Sequence, residues 1–328
     1  MPLGFWSQLT KPILALAPLA NVTDAAFRRL IAKYSKPAGP SVMYTEFVSA
    51  DGLMKGNREV LVRDLAFTDA ERPIVAQFFT SNPDIMEKTA ALARELGFDG
   101  VDINMGCPDR SIERGGAGAA LMKDPARAKE VIRAAKRGAG SLPVSVKTRL
   151  GYNKDILEEW LPALLEEEPV ALTLHARTRK EMSLVPARWE RVKRAVEIRD
   201  TLGSKTLILG NGDVSDVEDA RVKVRETGAD GAMLGRAIFG RPWLFLNSQE
   251  YENVSLEKKL RIAVEHAKLF EELLGDLKNF AIMKKHFKAY VEGFPGAKEL
   301  RIQLMETENA VQVEEIIKTF LATLPEAS

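Results

Sequence analysis

One cysteine, Cys107, and three histidines, His175, His266 and His286, are all that 328 residues hold of these two side-chain types. A single thiol excludes an internal disulfide framework, and so few scattered ligands exclude a structural zinc site, so no metal is expected. The chain also lacks any run of about 20 apolar residues, which excludes a helical membrane span. Charge of either sign is not in excess: the net value is +1, so nucleic acid would have to be held by local basic surface. Met1 to Lys11 lacks the charged-then-apolar pattern of a secretory signal. With the lone cysteine this points to the cytoplasm, and a monomer is the expected form.

What is present is a soluble globular composition, 45% hydrophobic and 28% charged. The length exceeds what one hydrophobic core usually fills, so two unequal domains are expected. Short β-rich apolar runs alternate with amphipathic stretches, the signature of βαβ units. Strands are predicted near Ile13 to Ala17, Val42 to Thr45, Ile74 to Phe78, Val101 to Asn104, Val144 to Thr148, Ala171 to His175, Thr206 to Gly210 and Gly231 to Gly235. Eight strands with helices between them predict an α/β fold, a (β/α)8 TIM barrel, over residues 1–250. Asn82-Pro83 and Asp124-Pro125 read as helix starts. After Pro242 the pattern changes to helices near Ser255 to Leu274, Asn279 to Val291 and Val311 to Leu321. Residues 251–328 are therefore expected to form a small C-terminal α-helical domain.

In such a barrel, function collects where the strands end. Polar or special residues stand at nearly every one of those ends: Pro18 and Leu19, Glu46, Gln77, Asn104 to Pro108, Lys147 and Arg149, His175 and Arg177, Asn211-Gly212-Asp213, and Gly235-Arg236. Loops after strands seven and eight commonly bind phosphate, and glycine lets backbone N–H groups approach it, although Gly-Asn-Gly-Asp is also an ordinary tight turn. Alternation turns Ser145, Lys147 and Arg149 inward. An inward lysine is costly unless it meets an anion or pairs with an interior carboxylate such as Glu46 or Asp102. Cys107 is either a small buried hydrophobe or a thiol projecting from its Gly-Cys-Pro turn. His175 is either a satisfied core histidine or a group facing phosphate beside Arg177, Arg179 and Lys180. In the tail, Lys284, Lys285, Lys288, Lys298 and Arg301 outnumber Glu292 and Glu299; a solvated face is the default reading.

The run Asn104-Met105-Gly106-Cys107-Pro108, followed by Gly116 to Met122, resembles the signature of the tRNA-dihydrouridine synthases. Further ordered matches run from about Pro12 to Arg301, among them Ala17 to Ala20, Val146 to Arg149, His175 to Thr178 and Lys285-His286. The resemblance implies FMN, held by Pro18, Leu19, Ala20, Gln77, Lys147, His175, Asn211, Gly212, Asp213, Gly235 and Arg236. It implies NADPH as electron donor and a uridine of tRNA as substrate, met by Glu46, Asn104, Arg149 and Arg177, with Asn104, Arg149 and His175 orienting the uracil edge. Lys284, Lys285 and Lys288 would hold the tRNA backbone. Hydride would pass from flavin N5 to C6, and Cys107 would protonate C5. Leu19 stands where the family usually has Met, Met105 where a cysteine is common, and Ala176 to Pro186 differs from familiar members. An FMN reductase of a free pyrimidine or enone is the nearest rival, and a non-catalytic RNA-binding barrel protein is the rival from another class.

Overall fold

The computed structural model describes residues 3–56, 58–246 and 254–324. Packing divides the chain into two units, Met1–Ala20 with Pro40–Arg236, and Asn21–Gly39 with Ala237–Ser328. The domain boundary expected at 250/251 lies outside the described residues. The two units differ from two contiguous blocks, because α1 (Ala25–Ser35) packs its apolar face with the C-terminal helices rather than with the strands that flank it in sequence.

In the first unit, eight parallel strands run β1 (Ile13–Leu16), β2 (Met43–Ser49), β3 (Ile74–Phe79), β4 (Gly100–Met105), β5 (Val144–Arg149), β6 (Ala171–His175), β7 (Leu207–Asn211) and β8 (Gly231–Leu234). Their lateral order is β1-β8-β7-β6-β5-β4-β3-β2, and the ends meet through a parallel bridge between Ala15 and Val42. The sheet is thus closed into the expected barrel, which leaves no open edge. All eight strands lie where the apolar runs placed them. β2 is longer than expected: a register irregularity between Tyr44 and Phe47 lets it continue to Ser49. Glu46 therefore stands inside the strand at that bulge, buried, and not at a strand end.

The helices between strands form where the sequence punctuates them. Asn82 caps α4 (Pro83–Glu95) and Asp124 caps α6 (Pro125–Ala139), each with proline in the first turn. Such caps contribute about 1 kcal/mol each. α2 (Ala50–Lys55), α3 (Arg58–Asp64) and α5 (Arg110–Arg114) are short, while α7 (Leu157–Leu165), α8 (Trp189–Thr201) and α9 (Val217–Thr227) follow β5, β6 and β7. Trp6 packs with Ile13, Val42, Val170 and Ala171 near the strand starts, filling that end of the barrel and leaving the C-terminal end to the polar side chains.

The second unit joins α1 to α10 (Leu256–Leu274), α11 (Met283–Tyr290), α12 (Ala297–Met305) and α13 (Ala310–Ala322). Its core is built from Leu260, Phe270, Phe287, Leu300, Val313 and their neighbours. α12 was not expected, since nine residues after Gly296 show little amphipathic periodicity. No helix among the described residues is long and apolar enough to cross a membrane.

Candidate active site

Parallel register stacks the inward side chains into layers. Gln77 is level with Asp102, and Asp102 with Ser145. One layer higher, Asn104 is level with Lys147; higher again, Arg149, His175 and Asn211 form a row. The residues singled out on five separate strands thus reach the same end of the barrel.

Cys107 lies just past β4 and is half-buried. Its turn is held from two sides. Asn104 Oδ1 accepts the amides of Gly106 and Cys107 at 3.1 and 2.9 Å, and Ala119 donates its amide to the Cys107 carbonyl at 3.0 Å. The glycine-rich stretch 115–118 comes close to this turn: a Cβ on Gly118, whose φ is +59°, would sit 2.8 Å from the Cys107 carbonyl oxygen. Burial pushes the Cys107 thiol above its ordinary value, against the Asp109 amide and the charges of Arg149 and Lys147. The thiol is therefore protonated at neutral pH.

Lys147 points inward as alternation required. Its hydrogen bond among the described residues goes to Asn211 Oδ1 at 3.1 Å, and Asn211 Nδ2 donates to the Met233 carbonyl at 2.8 Å. Neither Glu46 nor Asp102 forms an ion pair with it among the described residues. Burial first, and then the nearby Arg149, bring its ammonium down to about 8. It remains mostly charged at pH 7, and no carboxylate among the described residues forms an ion pair with it.

Arg149 and Arg177, expected at the substrate, have several donors engaged within the protein. Arg149 Nε donates to the Gly106 carbonyl at 2.8 Å, and its Nη1 to the Thr178 and Met182 carbonyls at 3.2 Å each. It ties the Cys107 turn to the loop after β6. Arg177 is 2% exposed; it donates to the Val185 carbonyl, contacts His175 Nε2 at 3.2 Å and pairs with Asp213. Asp213 also accepts the Ala187 amide and pairs with Arg236, so its carboxylate organises the rim. Arg236 itself is well exposed.

His175 is held well below its ordinary value by burial and then by Arg149, Lys147, Arg177 and Arg236. It is neutral at pH 7 because burial, and then the surrounding cations, disfavour its charged form. Gly212 fits under this ring: its φ is +116°, and a Cβ would meet Ala187 Cβ at 2.8 Å and His175 Cδ2 at 3.1 Å. Over Gly235, by contrast, a Cβ would meet nothing closer than Ala17 at 3.7 Å. Pro18 is buried, Leu19 half-buried and Ala20 exposed at the end of β1.

Gln77 is fully buried. Its Nε2 donates to Asp102 Oδ2 at 2.6 Å and its Oε1 accepts from Asn104 Nδ2 at 3.0 Å. Asp102 is a member of the site that the sequence reading considered only as a partner for Lys147. The alternation Gly100, Asp102, Asn104 is the signal that places it inward. Lys284, Lys285 and Lys288 belong to α11 of the second unit, where Lys288 is exposed and the other two are half-buried.

The arrangement is a cationic, acid-bearing bowl with glycine turns at two adjacent strand ends. The family model described as "Dihydrouridine synthase (Dus)" matches residues 15–325. The chain belongs to the dihydrouridine synthase family. Among curated relatives of this dihydrouridine synthase family member, a "Probable tRNA-dihydrouridine synthase" of Staphylococcus epidermidis is 38% identical over 326 residues, covering 98% of this chain and 97% of the relative. A "Probable tRNA-dihydrouridine synthase 2" of Bacillus subtilis is 38% identical over 321 residues, covering 97% and 96%. Of solved structures, histamine dehydrogenase from Rhizobium sp. 4-9 superposes with a TM-score of 0.55 at 13% identity, over 78% of this chain and 49% of that one. A variant of NCR from Zymomonas mobilis gives 0.50 at 18% identity, over 76% and 91%. At these identities the structural likeness speaks for the barrel alone.

Proposed function

We propose that this dihydrouridine synthase family member reduces the C5–C6 double bond of uridines in tRNA, as a flavin-dependent oxidoreductase with FMN as its flavin and NADPH as electron donor. The observation that carries the reading is the pairing, within one bowl, of a protonated lone thiol with a half-buried ammonium whose hydrogen bond among the described residues goes to the neutral amide oxygen of Asn211. Relatives named for tRNA match this chain over nearly its whole length, which favours tRNA over a free pyrimidine or enone.

The residues present fit a flavin mononucleotide. Lys147 and Arg236, with Arg149 and Arg177 beside the neutral His175, make an excess of positive charge suited to a phosphate and to an anionic ring. The amides following Asn211 and Leu234 sit at glycine turns, and the space over Gly235 admits a ligand. Bound there, the flavin supplies the hydride. The chain's own part is to place and protonate. Asn104 and Arg149 line the approach to the Cys107 turn, and Cys107 gives its proton to C5, a transfer that suits a thiol kept neutral by burial. A uridine stacked in tRNA must leave its stack to reach the bowl. Lys284, Lys285 and Lys288 of the second unit supply backbone charge for the same RNA.

The protein is expected to purify yellow. Flavin bleached by dithionite or NADPH should recover its colour when unmodified tRNA transcript is added, with dihydrouridine detected in the RNA by mass spectrometry. A folded protein that takes up no FMN, or a reduced flavin indifferent to tRNA, overturns the reading.

A further inference from the structure

We infer that Asp102 is a positioning residue: through Gln77 and Asn104 it sets which way the side-chain amides face, and so holds the Cys107 turn. The run is continuous and buried. Ser145 Oγ and Gln77 Nε2 both donate to the Asp102 carboxylate, one to each oxygen. Gln77 Oε1 accepts from Asn104 Nδ2 at 3.0 Å, and Asn104 Oδ1 accepts from the Gly106 and Cys107 amides. Gln77, Asp102 and Asn104 are all 5% exposed or less, so water does not share these bonds.

A primary amide has nearly the same shape in either orientation, and only its partners choose between them. An ionised carboxylate is an acceptor at both oxygens. Asp102 therefore obliges Gln77 to turn its nitrogen inward and its oxygen toward Asn104. Asn104 must then offer its nitrogen to Gln77, which leaves its oxygen for the two amides of the turn. Reversing any link sets donor against donor in a buried place. Burial raises the Asp102 carboxyl to about 6, against Ser145, Gln77 and Lys147, which leaves it ionised at pH 7. Lys147 and Tyr44 are the other titratable groups that face it. The carboxylate lies three hydrogen bonds from Cys107 and acts by orientation rather than by contact.

The rate readout rests on the reductase reading above, whereas a second readout does not. Because Cys107 is the only cysteine, iodoacetamide alkylation of the whole protein reports on this turn alone. Asp102→Leu removes both acceptors while filling the space. It is expected to lower kcat at saturating tRNA by roughly 10- to 100-fold with KM within about threefold. It should also speed alkylation at least about threefold, as the turn opens and the thiol loses its burial. Asp102→Asn should stay within about threefold of wild type in both, because the Ser145 hydroxyl can turn to accept from the new amide nitrogen and leave Oδ1 to Gln77. Should Asp102→Leu fail to fold, Gln77→Met breaks the next link and is expected to show the same pair of changes. Leu and Asn variants that behave alike, or an alkylation rate unchanged in Asp102→Leu or Gln77→Met, overturn the inference. A wild-type protein that forms no dihydrouridine overturns the reductase reading instead, and the alkylation comparison still decides the role of Asp102.

Discussion

The barrel bowl and the core of the second unit both hold histidine in its neutral form, in different surroundings. In the bowl, four cations surround His175 in addition to its burial. In the second unit, His266 and His286 lie 4.5 Å apart between ring centroids, with Phe27 stacked on His266 at 4.8 Å and Phe239 on His286 at 5.7 Å. Burial is the first cause there, and it brings His286 down to about 3. One neutral histidine sits among cations; the other two pack among aromatic rings. Depth and surrounding charge both separate them: His175 is half-buried among cations, whereas His266 and His286 are 0% exposed.

The contrast can be broken at several points. Cys107→Ala should lower dihydrouridine formation by roughly 10²- to 10⁴-fold, the usual contribution of a positioned general acid, while flavin content measured by absorbance stays as in wild type. Lys147→Met removes the ammonium from the bowl and should weaken FMN binding at least about tenfold in a titration of apoprotein. The second unit should answer to acid instead. His266 and His286 have folded values held below the ordinary 6.5, so the unfolded chain takes up their protons first. Their stability is complete above about pH 6.5 and is lost as pH falls toward the folded values. Between pH 7 and 5.5 the loss is about 1 kcal/mol per histidine, to be read as lower hydrogen-exchange protection factors along α10, after correction for the intrinsic rate at each pH, and absent in a variant with both histidines changed to Phe. The smallest effect belongs to Lys288→Ala. It should weaken tRNA binding about two- to threefold and reduce the salt slope by about one, with flavin binding untouched.

The barrel was legible because each strand is a short β-rich run between helix signals, and because capping pairs such as Asn82-Pro83 punctuate the helices. The rim was legible for a related reason: alternation along β5 alone turns Lys147 and Arg149 inward. What local pattern does not carry is long-range packing. Nothing in residues 21–39 announces that α1 joins helices more than 200 positions away, and a bulge such as the one in β2 leaves no trace in the order of Tyr44, Thr45, Glu46 and Phe47. Asp102 was underread because an acid inside a strand is ordinarily a partner for a nearby base, and its bond to Gln77 depends on register between strands. Arg149 and Arg177 stand at strand ends, and their role as substrate contacts came from the family resemblance. Their hydrogen bonds to loop carbonyls become visible only when the loop after β6 is seen folding back over them.

The proton-donor role of Cys107 is tested most directly by two pH profiles on the wild-type protein. One is the single-turnover rate of flavin reoxidation by tRNA, the other the rate of iodoacetamide alkylation. If the protonated thiol is the acting form, the reoxidation rate is level near pH 7 and falls at higher pH while alkylation rises, and the two curves share a midpoint above the usual thiol range. The shared midpoint assigns the falling limb to Cys107 rather than to Lys147, whose ammonium titrates near 8. A reoxidation rate that rises together with alkylation would make the thiolate the acting form and contradict the account.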